Sequence, residues 1–264
     1  MFGSKFADTT VFFILLLATL IAGYFYNGYH WIWIIIASIS YIALLGAGSY
    51  FISMNFYIRS INQLPLIRVD LFQAKGNIIQ QRGKNIVLSF DDGPHFKNTP
   101  ILLDILKKYD IKATFFLIGK NAKDHASITK RIAVEGHQIG NHSYHHRNTF
   151  SIQKNKLIAN EINISNNIIK EITGQKPIYF RPPFGVTNPR VAAAIQATGM
   201  TSVGWNVRSY DTVAKDEKKL LQSIIKKTRS GSIILLHEKC DITIKILPEL
   251  IHQLRQKGYE FTTI

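Results

Sequence analysis

Two long runs of apolar residues open the chain. The first extends from about Thr9 to Tyr26 and the second from about Trp31 to Ser53. Between Asp8 and Arg59 no Asp, Glu, Lys or Arg interrupts them. A helix needs about 20 apolar residues to cross a hydrocarbon core. The pattern therefore predicts a transmembrane helical hairpin in residues 1–55, with helices at about 9–26 and 31–53, the first barely long enough. Tyr26-Asn27-Gly28-Tyr29-His30 is the expected turn, and Tyr24, Tyr26, Tyr29, Trp31 and Trp33 gather around it, as aromatics do at a bilayer surface. Gly46-Ala47-Gly48-Ser49 offers small residues for close helix packing. The competing reading is a cleaved signal peptide followed by one anchor. Its basic start would be Lys5 alone, and no clear Ala-x-Ala site follows.

Residues 56–84 contain Pro65, Gly76 and Gly83 and no sustained period, which predicts a linker. From Asn85 the pattern changes to short β-rich apolar runs alternating with helical stretches. Strands are expected at Asn85–Phe90, Ala113–Ile118, Gln138–Asn141, Ile178–Arg181, Ser202–Asn206, Ser232–His237 and Phe261–Ile264. Helices are expected near 98–109, 121–135, 151–173, 188–198, 216–228 and 243–257. Repeated strand–helix units imply a mostly parallel sheet covered by helices. Seven strands within 85–264 suit an α/β domain built as a compact or irregular β/α barrel.

Charge adds a constraint. Lys5 and Asp8 cancel within residues 1–55, so the net charge of +15 belongs to the remainder. Such a field favours anionic partners. The basic residues are scattered and no nucleic-acid motif accompanies them, so nucleic acid is not an expected partner. Arg59, Arg68, Lys75, Arg82 and Lys84 follow the second apolar run and by charge alone favour the cytoplasmic side, although large domains translocate largely regardless of such charges. Cys240 is the one cysteine, which excludes an intrachain disulfide and a Cys-rich zinc site.

In parallel β/α folds, functional side chains gather at the carboxyl ends of strands. Asp91 and Asp92 end the first strand, His142 and His146 follow the third, Arg181 ends the fourth, Asp211 follows the fifth and His237 ends the sixth. Asp92, His142 and His146 supply one carboxylate and two imidazoles, a set that leaves positions open for water on a catalytic metal. Two His at i and i+4 share one face of a helical turn. His142 with His145 is equally compatible with the chemistry. Of two adjacent carboxylates, one can ligate a metal while the other takes a proton from water. Equally, Asp-Asp-Gly-Pro can be only a turn. His237 after a buried strand is a candidate general acid.

These residues resemble the NodB-like polysaccharide deacetylases, carbohydrate esterase family 4, over about Asn85–Ile264. The family's Thr/Ser-Phe-Asp-Asp-Gly appears as Ser89-Phe90-Asp91-Asp92-Gly93, and His-Ser/Thr-x-x-x-His as His142-Ser143-Tyr144-His145-His146. Arg-x-Pro-x-Gly appears as Arg181-Pro182-Pro183-Phe184-Gly185, and Leu-x-His as Leu235-Leu236-His237. The resemblance implies an irregular (β/α)7 barrel. It implies Asp91 as base, Asp92, His142 and His146 as metal ligands, and Arg181 orienting the base. It further implies the Phe184 N–H as an oxyanion donor, Leu235 as a wall of the acetyl pocket and His237 as acid. The family's Asp-x-x-Asp-Trp departs: here it reads Arg208-Ser209-Tyr210-Asp211-Thr212, with Asp211 kept to support Arg181 or the acid His. Loss of the Trp, which helps wall the substrate groove, puts substrate shape in question more than chemistry.

The resemblance implies metal-dependent removal of an N-acetyl group from an amino sugar in an envelope glycan such as peptidoglycan or exopolysaccharide. Zinc is the default ion, with cobalt, nickel or manganese as substitutes. Such glycans lie outside the cytoplasm, which favours a catalytic domain on the outer side of the inner membrane, whereas a lipid-linked intermediate could be met on either face. Three rivals stand beside this reading: a lipid-linked amino sugar as substrate, a hydrolase of small amides, and a non-catalytic tethered sugar-binding module.

Overall fold

The structure, a computed structural model, describes residues 4–64 and 84–264. Strand β1 (Asn85–Gly93) lies at the centre of the sheet. Its residues Ile86, Leu88 and Phe90 are fully buried against helices α3 (Asn98–Lys108) and α9 (Asp241–Gln256). Burying each such side chain is worth about 1.5–3 kcal/mol. Because side chains alternate along a strand, Val87, Ser89 and Asp91 face the opposite side.

The other strands are β2 (Thr114–Leu117), β3 (Gln138–Asn141), β4 (Tyr179–Phe180), β5 (Thr201–Ser202), β6 (Val207–Arg208), β7 (Ile233–His237) and β8 (Glu260–Thr262). Their order is β5-β4-β3-β2-β1-β7-β6, with β8 beside the start of β1, and every pairing is parallel. The register sets Asp91 beside His237 and Ser89 beside Leu235.

The α/β class and parallel sheet agree with the sequence. The sheet is curled and open, since β5 and β6 do not pair among the described residues. The run expected as one strand at Ser202–Asn206 is divided, and β6 begins only after it. Gly204 accommodates Asn62 where a side chain would collide, and the Asn206 side-chain oxygen accepts from the Ile233 N–H. Local side-chain pairing of this kind competes with a regular ladder. The helix expected at 121–135 is also two, α4 (Gly119–Asp124) and α5 (Ala126–Val134), broken at His125. Helices α6 (Asn155–Thr173), α7 (Pro189–Ala197) and α8 (Glu217–Lys227) complete the cover.

The N-terminal helices are α1 (Ser4–Asn27) and α2 (Ile32–Tyr50). Both are long and apolar enough to cross a membrane by length and composition. The first is the longer, at 24 residues against 19, contrary to the sequence expectation. Helix α2 stops at Tyr50 because Phe51 turns extended before a short 3-10 turn at Ile52–Met54. Phe13 stacks on Tyr41 across the pair at 4.0 Å, and the Thr10 and Tyr41 hydroxyls bond at 2.8 Å. Of the small residues at 46–49, the two glycines do not lie at a close helix–helix contact. Gly46 has nothing near its missing Cβ, and Gly48 seats Phe56.

Within the expected linker, the first three residues, 56–58, are buried. Phe56, Tyr57 and Ile58 are buried with Phe150, Ile162, Phe180 and Val191. Their apolar side chains gain more from this burial than from water. Ile61 then bridges Val203 and Gln63 bridges Ser232, so the segment lies across the gap in the sheet. The rest of the expected linker, with Pro65, Arg68, Lys75, Gly76, Arg82 and Gly83, lies outside the described residues.

Candidate active site

Asp91 and Asp92 would point to opposite faces on a regular strand. A bulge between Asp91 and Gly93 and a left-handed Asp92 (φ 71°) turn both carboxylates to one site. An extra residue in a strand re-aims side chains in this way. Asn121 Nδ2 donates to the Asp92 carbonyl at 3.0 Å and the Ile118 N–H to the Gly93 carbonyl at 2.9 Å, which hold the bulge.

His142 and His146 do not occupy a helical turn. They lie on an irregular loop after β3, with Ser143 and His146 both at positive φ. Asn141 Oδ1 accepts from the Ser143 N–H at 2.8 Å, and Ser143 Oγ from the His146 N–H at 3.0 Å. The loop still brings both rings to Asp92. His142 Nε2 is 3.6 Å and His146 Nε2 3.4 Å from Asp92 Oδ1. His145 turns away, with Nδ1 2.7 Å from Glu161.

Asp92, His142 and His146 offer ligand atoms within 4.8 Å of one another, a metal-binding triad suited to a divalent ion. The Arg181 carbonyl accepts from His142 Nδ1 at 2.7 Å, which fixes the tautomer and leaves the Nε2 lone pair toward the cluster. Burial alone would raise the Asp92 carboxyl, but His142, His146 and a 2.8 Å bond from Lys239 outweigh it and hold it at about 2. Burial and the neighbouring His142 lower His146 to about 4, so it is neutral at pH 7, as a ligand must be.

Two further pairs flank the triad. Arg181 is fully buried and donates through Nη1 to Asp91 at 2.6 Å and Ser89 Oγ at 3.0 Å, and through Nη2 to the Gly204 carbonyl at 2.8 Å. Its guanidinium lies 4.0 Å from the Phe116 ring centre. Burial lowers the Arg181 pKa and Asp91 opposes that. On the other side, His237 Nδ1 donates to Asp211 Oδ1 at 2.7 Å, while Asp211 Oδ2 accepts from the His237 N–H and Thr243 Oγ1. Burial would lower the His237 pKa, but the hydrogen bond and charge of Asp211 raise it overall. Asp211 therefore supports His237, not Arg181.

Leu235 is buried on the strand beside Ser89. Phe184 is left-handed (φ 59°), and its ring lies 4.7 Å from that of His146. All nine side chains singled out from the sequence belong to this one end of the sheet or the strand beneath it.

Several participants were not anticipated. Ser89 and Phe116 hold Arg181, Thr243 holds Asp211, and Lys239 holds Asp92. Glu238, fully buried, bonds Thr99 and packs against Gly93, and burial pushes its carboxyl up to about 8. Trp205 lies 5.6 Å from the Arg181 guanidinium and packs against Gly185. Glu238 and Lys239 follow His237 directly, a signal that adjacency offered. Trp205 carried none.

Residues 79–203 match the family model described as Polysaccharide deacetylase. The chain is 34% identical over 181 residues to a peptidoglycan-N-acetylglucosamine deacetylase, PgdA, of Listeria monocytogenes, spanning 69% of this chain and 38% of that protein. It is 36% identical over 185 residues to the peptidoglycan-N-acetylmuramic acid deacetylase PdaA of Bacillus subtilis, spanning 69% and 70%. A solved structure of a CE4 family pseudoenzyme from Bacillus anthracis superimposes with a TM-score of 0.65 at 31% identity, covering 69% of this chain and 64% of that one. With the motifs on one face of a parallel half-barrel, these similarities establish that the chain belongs to the polysaccharide deacetylase family.

Proposed function

We propose that the protein removes the N-acetyl group from an acetylated amino sugar in a cell-envelope glycan such as peptidoglycan or exopolysaccharide, releasing acetate. The observation that carries this reading is the pair of dyads, Asp91–Arg181 and His237–Asp211, facing the Asp92–His142–His146 triad from two sides. Binding alone needs no such acid–base pair, which disfavours a non-catalytic module. The names of the relatives support an envelope glycan.

Asp92, His142 and His146 would hold the ion, and one carboxylate with two imidazoles suits zinc, with cobalt, nickel or manganese as substitutes. When bound, such an ion supplies Lewis acidity toward an acetyl carbonyl and lowers the pKa of attacking water to about 7. Asp91, with Oδ1 occupied by Arg181, takes the water proton on Oδ2, which lies 3.7 Å from His142 Nε2. Arg181, at 2.6 Å, keeps that carboxylate aimed. The water oxygen bonds to the acetyl carbon, and the Phe184 N–H donates to the oxygen that gains charge, a contribution of about 3 kcal/mol. His237 gives the proton on Nε2 to the sugar nitrogen as the carbon–nitrogen bond breaks, and Asp211 stabilises the charged ring before the transfer. Leu235 packs against the acetyl methyl.

The hairpin α1–α2 would anchor the chain in the inner membrane with the catalytic domain on the outer side. One observation favours a lipid-linked amino sugar as a second reading. The domain is docked on the hairpin instead of hanging from a tether: the Thr187 N–H, two residues beyond the oxyanion loop, donates to the Ser49 carbonyl at 2.8 Å, and Tyr57 OH to the Leu45 carbonyl at 3.2 Å. Acetate release by the metal-loaded full-length chain, assayed on glycan polymer and on lipid-linked amino sugar, tests both readings. Release from neither removes the proposal.

A further inference from the structure

An open run of side chains leads away from the triad. It passes from His146 to the half-exposed Phe184, then to Gly185 and the indole of Trp205, and ends on Arg208 and Tyr210. Arg208 pairs in register with Leu235 on β7. Residues paired in register across parallel strands point to the same face. Val207 is buried beneath α8 with Ile224, so Arg208 rises on the face that also carries Leu235, His237 and Asp91. One aromatic ring separates its guanidinium from that of Arg181: Trp205 lies 5.9 Å from the first and 5.6 Å from the second.

Arg208 is also a cation. Among the described residues no carboxylate pairs with it; its neighbours are the Trp205 ring and the Tyr210 ring, the latter 5.0 Å away. Lys227 lies 5.3 Å from Tyr210, adding a second cation. Aromatic faces hold a guanidinium in place without neutralising it. A planar fork of donors fixed in that way matches a carboxylate or phosphate.

Resting on the deacetylase reading, we infer that Arg208, set between Trp205 and Tyr210, is an anion subsite that makes the enzyme prefer acetylated amino sugars carrying a negatively charged substituent. The chemistry is that of an oxyanion held by a guanidinium, and a lactyl carboxylate or a sugar phosphate supplies it equally. The family pattern has Asp where Arg208 stands, so a charge that repels such a group is exchanged for one that attracts it.

The test compares kcat/KM for acetate release by the full-length, metal-loaded protein on three oligosaccharides of equal length. One is neutral chitooligosaccharide, one carries muramic-acid carboxylates and one carries a terminal phosphate. The expected result is at least a tenfold preference for one or both acidic substrates, as a charge-assisted hydrogen bond commonly gives. The arm that shows it identifies the anion's source. Arg208→Gln should abolish the preference, and Lys226→Gln, an exposed charge loss on the same helix as Lys227, should keep it. A neutral substrate used as well as both acidic ones, or Arg208→Gln slowing all three by one factor, would overturn the inference. Calorimetry with inactive Asp91→Asn protein reads the same discrimination as binding. If no substrate releases acetate, the deacetylase reading fails, while this binding comparison still decides on Arg208.

Discussion

Replacing Arg181 with Met preserves the bulk of the side chain and removes its charge and donors. Asp91 would lose its 2.6 Å partner, and Ser89 Oγ and the Gly204 carbonyl would lose theirs, all at a position with no solvent access. Leaving a buried charge without its partner costs about 3–5 kcal/mol, where an exposed pair would cost under about 1 kcal/mol. For a domain of this size each kcal/mol moves the melting temperature by about 2–4 °C. Arg181→Met should thus lower the melting temperature of metal-free, full-length protein in detergent by about 6–20 °C. In an Asp91→Asn background no carboxylate charge remains to be stranded, and the drop should shrink by roughly 2 kcal/mol in a double-mutant cycle. Arg181→Lys keeps the charge yet cannot reach three acceptors at once, so it should fall between. A shift below about 2 °C, or the same shift in both backgrounds, would refute the idea that this pair is what holds Asp91 in place.

Asp211→Asn removes the charge that raises His237, so the alkaline limb of the rate profile, where the acid loses its proton, should move to lower pH; an unmoved limb excludes His237 as the titrating acid. Glu238 has a folded pKa of about 8, above its unfolded value, so its contribution is fully present below the unfolded pKa and is lost as pH rises toward 8. Glu238→Gln should therefore raise the melting temperature at pH 8 and change it little at pH 4; equal effects at both would contradict the burial of an uncharged carboxyl. Phe56→Ala, at the junction of hairpin and domain, should cost about 3–5 kcal/mol and speed proteolysis between residues 51 and 64. A wild-type cleavage rate would mean the junction is not packed.

What could be read from the chain follows from periodicity. The central strand β1 is strongly apolar, and the polar residues that end it and its neighbours stand out against that background. The strand–helix rhythm therefore exposed Asp91, Asp92, His142, Arg181 and His237 before any geometry was known. Positions set by non-local contacts were not legible. Phe56, Tyr57 and Ile58 look like loop residues until Phe150 and Phe180, far along the chain, are brought against them. The His142–His146 spacing suggested a helical turn, because i and i+4 coincide there, but bonds through Ser143 and Asn141 set a different loop that meets the same end. Ser202–Asn206 has strand composition, but Asn62 and Asn206 interrupt the ladder. Trp205 is seven residues ahead of Thr212, the site where the family pattern has Trp, and only the fold brings an indole beside Gly185.

The Asp91–Asp92 pair is the centre of the proposal, with Asp91 as base and Asp92 as ligand. Metal content and acetate release measured together on Asp91→Asn and Asp92→Asn proteins separate those roles. Asp91→Asn should retain one bound divalent ion and lose roughly 10²–10⁴ in rate, the usual worth of a general base. Asp92→Asn should lose the ion and the activity together. An Asp91→Asn protein that keeps its rate, or an Asp92→Asn protein that keeps both its ion and its activity, would contradict this division of labour.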